Sequence, residues 1–201
     1  MAELSYIHRF VPGGDPPILA LHGTGGDEFS MSQVLRLVAP ESAALYPRGK
    51  ETERGETRYF KRFDDGTIDG EDAQRRGIEL AEFVREAAAE YGFDPEKLVA
   101  IGYSNGANAA VAMALAGTGL PKRMALLRPM IPFKPDPLPD LAAFTALILA
   151  GVQDATTPMA RAEELAYLLI DCGADVQMLT VGSGHGLITA DFHATRNWIL
   201  G

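Results

Sequence analysis

Cysteine is nearly absent from this chain. Cys172 is the single one in 201 residues, so no intrachain disulfide can staple the fold, and a reducing compartment, the cytoplasm, is the expected location. Positive charge is also in short supply. Eighteen Lys and Arg stand against 27 Asp and Glu, a formal net charge of −9. A surface of that sign repels phosphate backbones and anionic lipid, so neither nucleic acid nor a membrane is an expected partner. Long apolar runs are missing: none reaches the ~18 residues that would suggest a membrane span. The first ten residues, MAELSYIHRF, lack the apolar core of a signal peptide. Repeats, low-complexity tracts and interdomain linkers are lacking too, and residues 1–201 read as a single domain long enough for a sizeable core.

What is present is an alternation of short apolar strands with amphipathic or capped helices. Residues 18–21, 43–46, 98–101, 123–127, 145–150 and 176–181 read as strands, and residues 5–11 as a weaker edge strand. Residues 71–91 form the clearest amphipathic helix, with Ile78, Ala81, Val84, Ala88 and Tyr91 on one face and Gly92 at its stop. Further helices are expected over residues 29–39, after residue 106, after Thr157-Pro158 and at the carboxyl end. This order predicts an α/β fold with a mainly parallel central sheet covered by helices on both faces.

Residues 98–108, LVAIGYSNGAN, are the stretch on which function turns. An apolar, β-branched strand runs into the pentapeptide Gly102-Tyr103-Ser104-Asn105-Gly106, and a run of small apolar residues follows as a helix. Strand, sharp turn and helix around G-x-S-x-G is the context of a nucleophile elbow, in which the serine hydroxyl stands above the sheet. A second Gly-rich loop, His22-Gly23-Thr24-Gly25-Gly26-Asp27-Glu28, follows the strand at 18–21. It lacks the P-loop lysine, and the third glycine of G-x-G-x-x-G falls on Glu28, so nucleotide binding is not expected. Its backbone N–H groups are better suited to facing an oxyanion. His22 reads as a loop brace.

A nucleophilic serine needs a base and a carboxylate that orients the base. Histidine is scarce, and position separates the four. His8 falls in the edge strand, His193 inside the last helix, and His22 ahead of the elbow. His185 follows the last strand in the Gly-flanked loop Gly182-Ser183-Gly184-His185-Gly186 and is the expected base. Asp154, just past the strand TALILAG, is the expected acid, with Asp136 and Asp140 of the proline-rich loop in reserve. The order Ser104, Asp154, His185 is that of an α/β-hydrolase triad. No cluster of ligands suggests a metal.

Together LHGTGGDE, GYSNGAN, LLRPMIP at 126–132, AGVQD and GSGHG resemble the phospholipase/carboxylesterase family of the α/β-hydrolases, over residues 16–200 and most nearly its bacterial MhqD-like members. The resemblance implies an α/β-hydrolase fold without a large cap domain. It also implies a serine hydrolase of carboxylic esters or thioesters, no cofactor, and a homodimer as one arrangement. It carries the oxyanion hole over to the backbone N–H groups of Thr24 and Asn105. Without a cap, the substrate cleft is expected to be walled by two loops: the aromatic segment with Tyr59, Phe60 and Phe63, and the proline-stiffened loop with Met130, Ile131 and Phe133. Apolar walls of limited length predict short-to-medium acyl esters as substrates. The competing readings are a thioesterase or lysophospholipase built on the same triad, or a non-catalytic ligand-binding relative.

Overall fold

The computed structural model describes residues 4–201, so Met1 to Glu3 of the amino-terminal segment lie outside the described residues. The elements run β1 (His8–Val11), β2 (Gly14–Leu21), α1 (Ser32–Val38), β3 (Ser42–Pro47), β4 (Glu51–Glu53), β5 (Glu56–Arg58) and α2 (Gly70–Tyr91). A 3₁₀ turn (Pro95–Lys97) leads to β6 (Val99–Tyr103), then α3 (Asn105–Leu115), β7 (Arg123–Leu127), β8 (Thr145–Gly151), α4 (Met159–Asp171), β9 (Asp175–Val181) and α5 (Thr189–Leu200).

Seven strands form the main sheet in the order β1-β3-β2-β6-β7-β8-β9, and β4 and β5 make a separate two-stranded hairpin. In the main sheet β1 pairs antiparallel with β3, and the other neighbours pair in parallel. This is the helix-covered, mainly parallel sheet that the alternation predicts. The inner strands are apolar on both faces because both are covered. Along β6, Ala100 faces the core shared with α2, α3 and α4, while Val99 and Ile101 face the core shared with α1 and α5. β9, at the sheet edge, keeps polar Gln177 among half-exposed neighbours.

Two expectations at the level of elements change. α2 starts at Asp69, whose side chain accepts from Asp72 N–H, and ends at Gly92, but Ile78 is 41% exposed. The buried stripe runs through Ala73, Leu80, Phe83, Val84 and Ala87, and Ile78 sits nearly half a turn from the centre of that stripe at 3.6 residues per turn. Phe29 lies outside α1, which begins only at Ser32. Its ring is 58% exposed, under the Arg9 guanidinium at 5.3 Å.

Candidate active site

β6 ends at Tyr103 and α3 begins at Asn105, so one residue, Ser104, makes the whole turn. Its backbone sits at φ 52°, ψ −116°, a sparsely populated conformation that costs of order 1–3 kcal/mol for a residue with a side chain. The surroundings leave no alternative. Ser104 N–H donates to Leu127 O at 2.8 Å, and Ser104 O accepts from Asn108 N–H at 3.0 Å. The flanking glycines are steric requirements: a Cβ on Gly102 would stand 2.6 Å from the Ala107 backbone, and one on Gly106 would stand 2.2 Å from Leu21 O. Only bare backbone lets α3 dock this closely on β2 and β6, and that docking drives Ser104 Oγ outward.

The ends of β8 and β9 supply the partners. His185 Nε2 lies 3.0 Å from Ser104 Oγ, and its Nδ1 lies 2.8 Å from Asp154 Oδ2. A carboxylate only accepts, so Nδ1 carries the proton and Nε2 accepts from the serine hydroxyl. Asp154 is fixed in turn: its side chain is buried, and its Oδ1 accepts from Thr156 and Thr157 N–H, both at 2.8 Å. Asp136 and Asp140 stay away from this chain; Asp140 Oδ1 accepts from Ala142 N–H at 3.0 Å.

The loop that carries His185 is held by a residue to which sequence reasoning assigned no role. Arg128 follows β7 at φ 58° and is 1% exposed. Its guanidinium pairs with Asp191 through Nη1 at 2.8 Å and Nη2 at 2.9 Å. The same head donates to Gly184 O, Gly186 O and Ser183 Oγ at 2.9 to 3.2 Å, on both sides of His185. Asp191 Oδ2 also accepts from Ile188 N–H at 2.8 Å, joining the loop to the start of α5. Tyr103 O–H donates to His185 O at 3.2 Å. The signal in the sequence was Arg128 itself, a charged residue directly after an apolar strand, with no local partner to name.

On the opposite side of Ser104, the loop after β2 is braced by His22. The ring is fully buried; Nδ1–H donates to Gly23 O at 2.7 Å, and Nε2 accepts from Gly49 N–H at 3.0 Å. Burial lowers its pKa below the ordinary imidazole value, which keeps it neutral. The β4–β5 hairpin completes the bracing. Thr57 O accepts from Gly25 N–H at 2.9 Å, Arg58 Nη1 donates to Thr24 Oγ1 at 2.7 Å, and Tyr59 N–H donates to Asn105 Oδ1 at 2.8 Å. The backbone N–H groups of Thr24 and Asn105 have no acceptor of their own among the described residues, and the second opens α3, where the helix dipole favours negative charge.

Above Ser104 lies a cavity of ≈ 410 Å³, lined by Ser104, His185, Thr24, Asn105, Tyr103, Asn108, Met130, Thr156, Thr157, Arg58, Arg62, Gly66 and Ile68. Of the six side chains expected in the cleft walls, Met130 is there, and Ile131 lines the adjoining cavity. The others are corrections. Tyr59 and Phe60 are each 1% exposed and belong to the core; the Tyr59 hydroxyl is used up, donating to Pro47 O and accepting from His22 N–H. Arg58, the last residue of β5, lines the cleft, whereas Tyr59 and Phe60 just past the strand pack inward. Phe133 packs against the core beside Gly70, and Phe63 points to solvent. The lining is thus more polar than the aromatic residues in the sequence imply. The two arginines and Thr156, Thr157 and Asn108 carried no motif that would have marked them.

No helix among the described residues is long and apolar enough to cross a membrane. No family model matches the chain. It is 35% identical over 184 residues to the putative hydrolase MhqD of Bacillus subtilis, an alignment covering 92% of each chain. A carboxylesterase from Bacillus cereus superposes with TM-score 0.92 at 38% identity, covering 97% of this chain and 93% of that one. A carboxylesterase from Mesorhizobium loti also superposes at 0.92, with 30% identity over 100% and 97% of the two chains.

Proposed function

The chain belongs to the carboxylesterase family of the α/β-hydrolase fold that includes the putative hydrolase MhqD, and from that membership we propose that it hydrolyses carboxylic esters through Ser104, His185 and Asp154. The observation that carries this reading is the continuous hydrogen-bonded chain from Asp154 Oδ2 through the imidazole to Ser104 Oγ. In the first half-reaction Ser104 Oγ attacks the ester carbonyl while His185 Nε2 takes its proton, and Asp154 stabilises the imidazolium. The tetrahedral oxyanion forms beside the Thr24 and Asn105 N–H groups, which cost nothing to reorganise because the loop and the helix already hold them. His185 then gives its proton to the departing alcohol oxygen, leaving an acyl group on Ser104. In the second half-reaction His185 takes a proton from water, the hydroxide adds to the acyl carbon, and the acid leaves as Ser104 Oγ is reprotonated. A cavity of ≈ 410 Å³ walled by loops suits short-to-medium acyl groups.

The test is labelling with a fluorophosphonate. Ser104 is expected to be the one residue modified stoichiometrically, and Ser104→Ala is expected to lower kcat by roughly 10⁴- to 10⁶-fold. Labelling at Ser183 instead, or turnover unchanged in Ser104→Ala, would overturn the assignment.

A further inference from the structure

Arg58 and Arg62 share the cavity wall with Ser104 and His185. The chain as a whole carries a net −9, yet no Asp or Glu lines that cavity among the described residues. The acidic partners of the arginines stand behind them. Glu53 accepts from Arg62 Nε at 3.0 Å and Nη2 at 3.2 Å, and also lies 3.0 Å from Arg58 Nε. Glu56 accepts from Arg58 Nη2 at 3.2 Å. Two guanidiniums and two carboxylates cancel in net charge, so what this cluster offers is direction rather than charge. Both arginines line the cavity, whereas Glu53 and Glu56, on the hairpin, do not. Glu53 holds the planar head of Arg62 by two nitrogens and leaves Nη1 without a protein partner among the described residues. Other donors line the same space. Asn108 uses its Oδ1 to accept from Met130 N–H at 2.8 Å, which leaves its Nδ2 free to donate. The hydroxyls of Thr156 and Thr157 complete the rim.

A wall of donors without a facing carboxylate matches one ligand chemistry above others, a small anion that accepts a charge-assisted hydrogen bond from the unpartnered Nη1 of Arg62. We infer that the preferred substrates are carboxylic esters that carry a free carboxylate a few bonds from the scissile carbonyl, with Arg62 as the residue that selects for it. The size of the cavity sets the spacing: at ≈ 410 Å³ it admits the reacting ester and the anionic group of one short molecule. The acidic exterior opposes anions at long range, but at 0.15 M salt that field is screened beyond about 8 Å, whereas the contact inside the cavity is not. The inference rests on the esterase reading proposed above.

Matched ester pairs test it. One pair places the anion on the acyl side: the p-nitrophenyl ester of glutaric acid with its second carboxyl free, against the same compound methylated there. The other places it on the alcohol side: the acetyl ester of 4-hydroxyphenylacetic acid, against that of its methyl ester. In at least one pair the anionic member is expected to have kcat/KM about 10- to 100-fold higher, the effect of one charge-assisted hydrogen bond, expressed mainly in KM. Arg62→Gln should bring that ratio toward unity. Ratios at or below one in both pairs, with the neutral esters turned over, would overturn this inference and leave the esterase reading standing. A ratio that survives in Arg62→Gln would overturn the assignment to that residue. Turnover of none of the four esters, together with no fluorophosphonate labelling, would overturn the esterase reading and this inference with it.

Discussion

A guanidinium removed from water carries a desolvation cost of several kcal/mol. At Arg128 it is offset because all three nitrogens are engaged, by Asp191 and by the carbonyls and hydroxyl of the loop around His185. Both side chains of the pair are 0% exposed, so removing one leaves the other charged and unpaired. Arg128→Met is expected to lower the unfolding free energy by about 3–5 kcal/mol, read from urea denaturation. Adding Asp191→Leu should recover much of that loss, because no buried charge then remains. Activity should not follow stability: the double variant still lacks the donors that hold Ser183 to Gly186, so kcat stays depressed while KM changes little. A double variant no more stable than Arg128→Met, or one with full kcat, would contradict this account. Asp154 and His185 could be singled out in the sequence because each lies three or four residues past the end of a strand. Arg128 stands after a strand too, but Asp191 and its partners in the His185 loop lie 55 to 63 residues further on, and pairing over that distance leaves no local trace.

Among elements, the loop after β2 is shaped by residues from two other segments. His22 ties it to Gly49 after β3, and the β4–β5 hairpin ties it through Thr57 and Arg58. Because burial lowers the His22 pKa, the unfolded chain takes up this proton before the folded protein does. Stability therefore falls as pH drops below the ordinary imidazole value of 6.5. The urea midpoint is expected to decline steadily between pH 6.5 and 5, and His22→Gln to flatten that decline. Asp27 and Glu28 have carboxyls held below their ordinary 3.8 and 4.5, by Ser30 and Arg48 respectively, and they act only at lower pH. A wild-type midpoint constant across pH 6.5 to 5 would contradict the buried neutral imidazole. The bracing role of His22 could be read from its Gly-rich surroundings, but the hairpin could not be assigned. Three aromatic and three basic residues within six positions of residues 58–63 suit a cleft wall and a packed segment equally, and in the fold Arg58 and Arg62 line the cleft while Tyr59 and Phe60 lie in the core.

For the whole molecule, topology was the part most open to reading. A parallel sheet buried on both faces leaves strands as near-continuous apolar runs, and the buried stretches of β2, β6, β7 and β8 are such runs. The cavity was the part least open, since its wall is assembled from loops after β2, β5, β7 and β8 that meet only in three dimensions. What the molecule does with that assembly reduces to one intermediate, an acyl group on Ser104. The most direct measurement is to quench the enzyme in acid during turnover of p-nitrophenyl acetate and map the adduct by peptide mass spectrometry. Up to one acetyl group per chain is expected, confined to the peptide containing Ser104 and absent from Ser104→Ala. Continued turnover by Ser104→Ala, or acetyl groups found only on other residues, would contradict it.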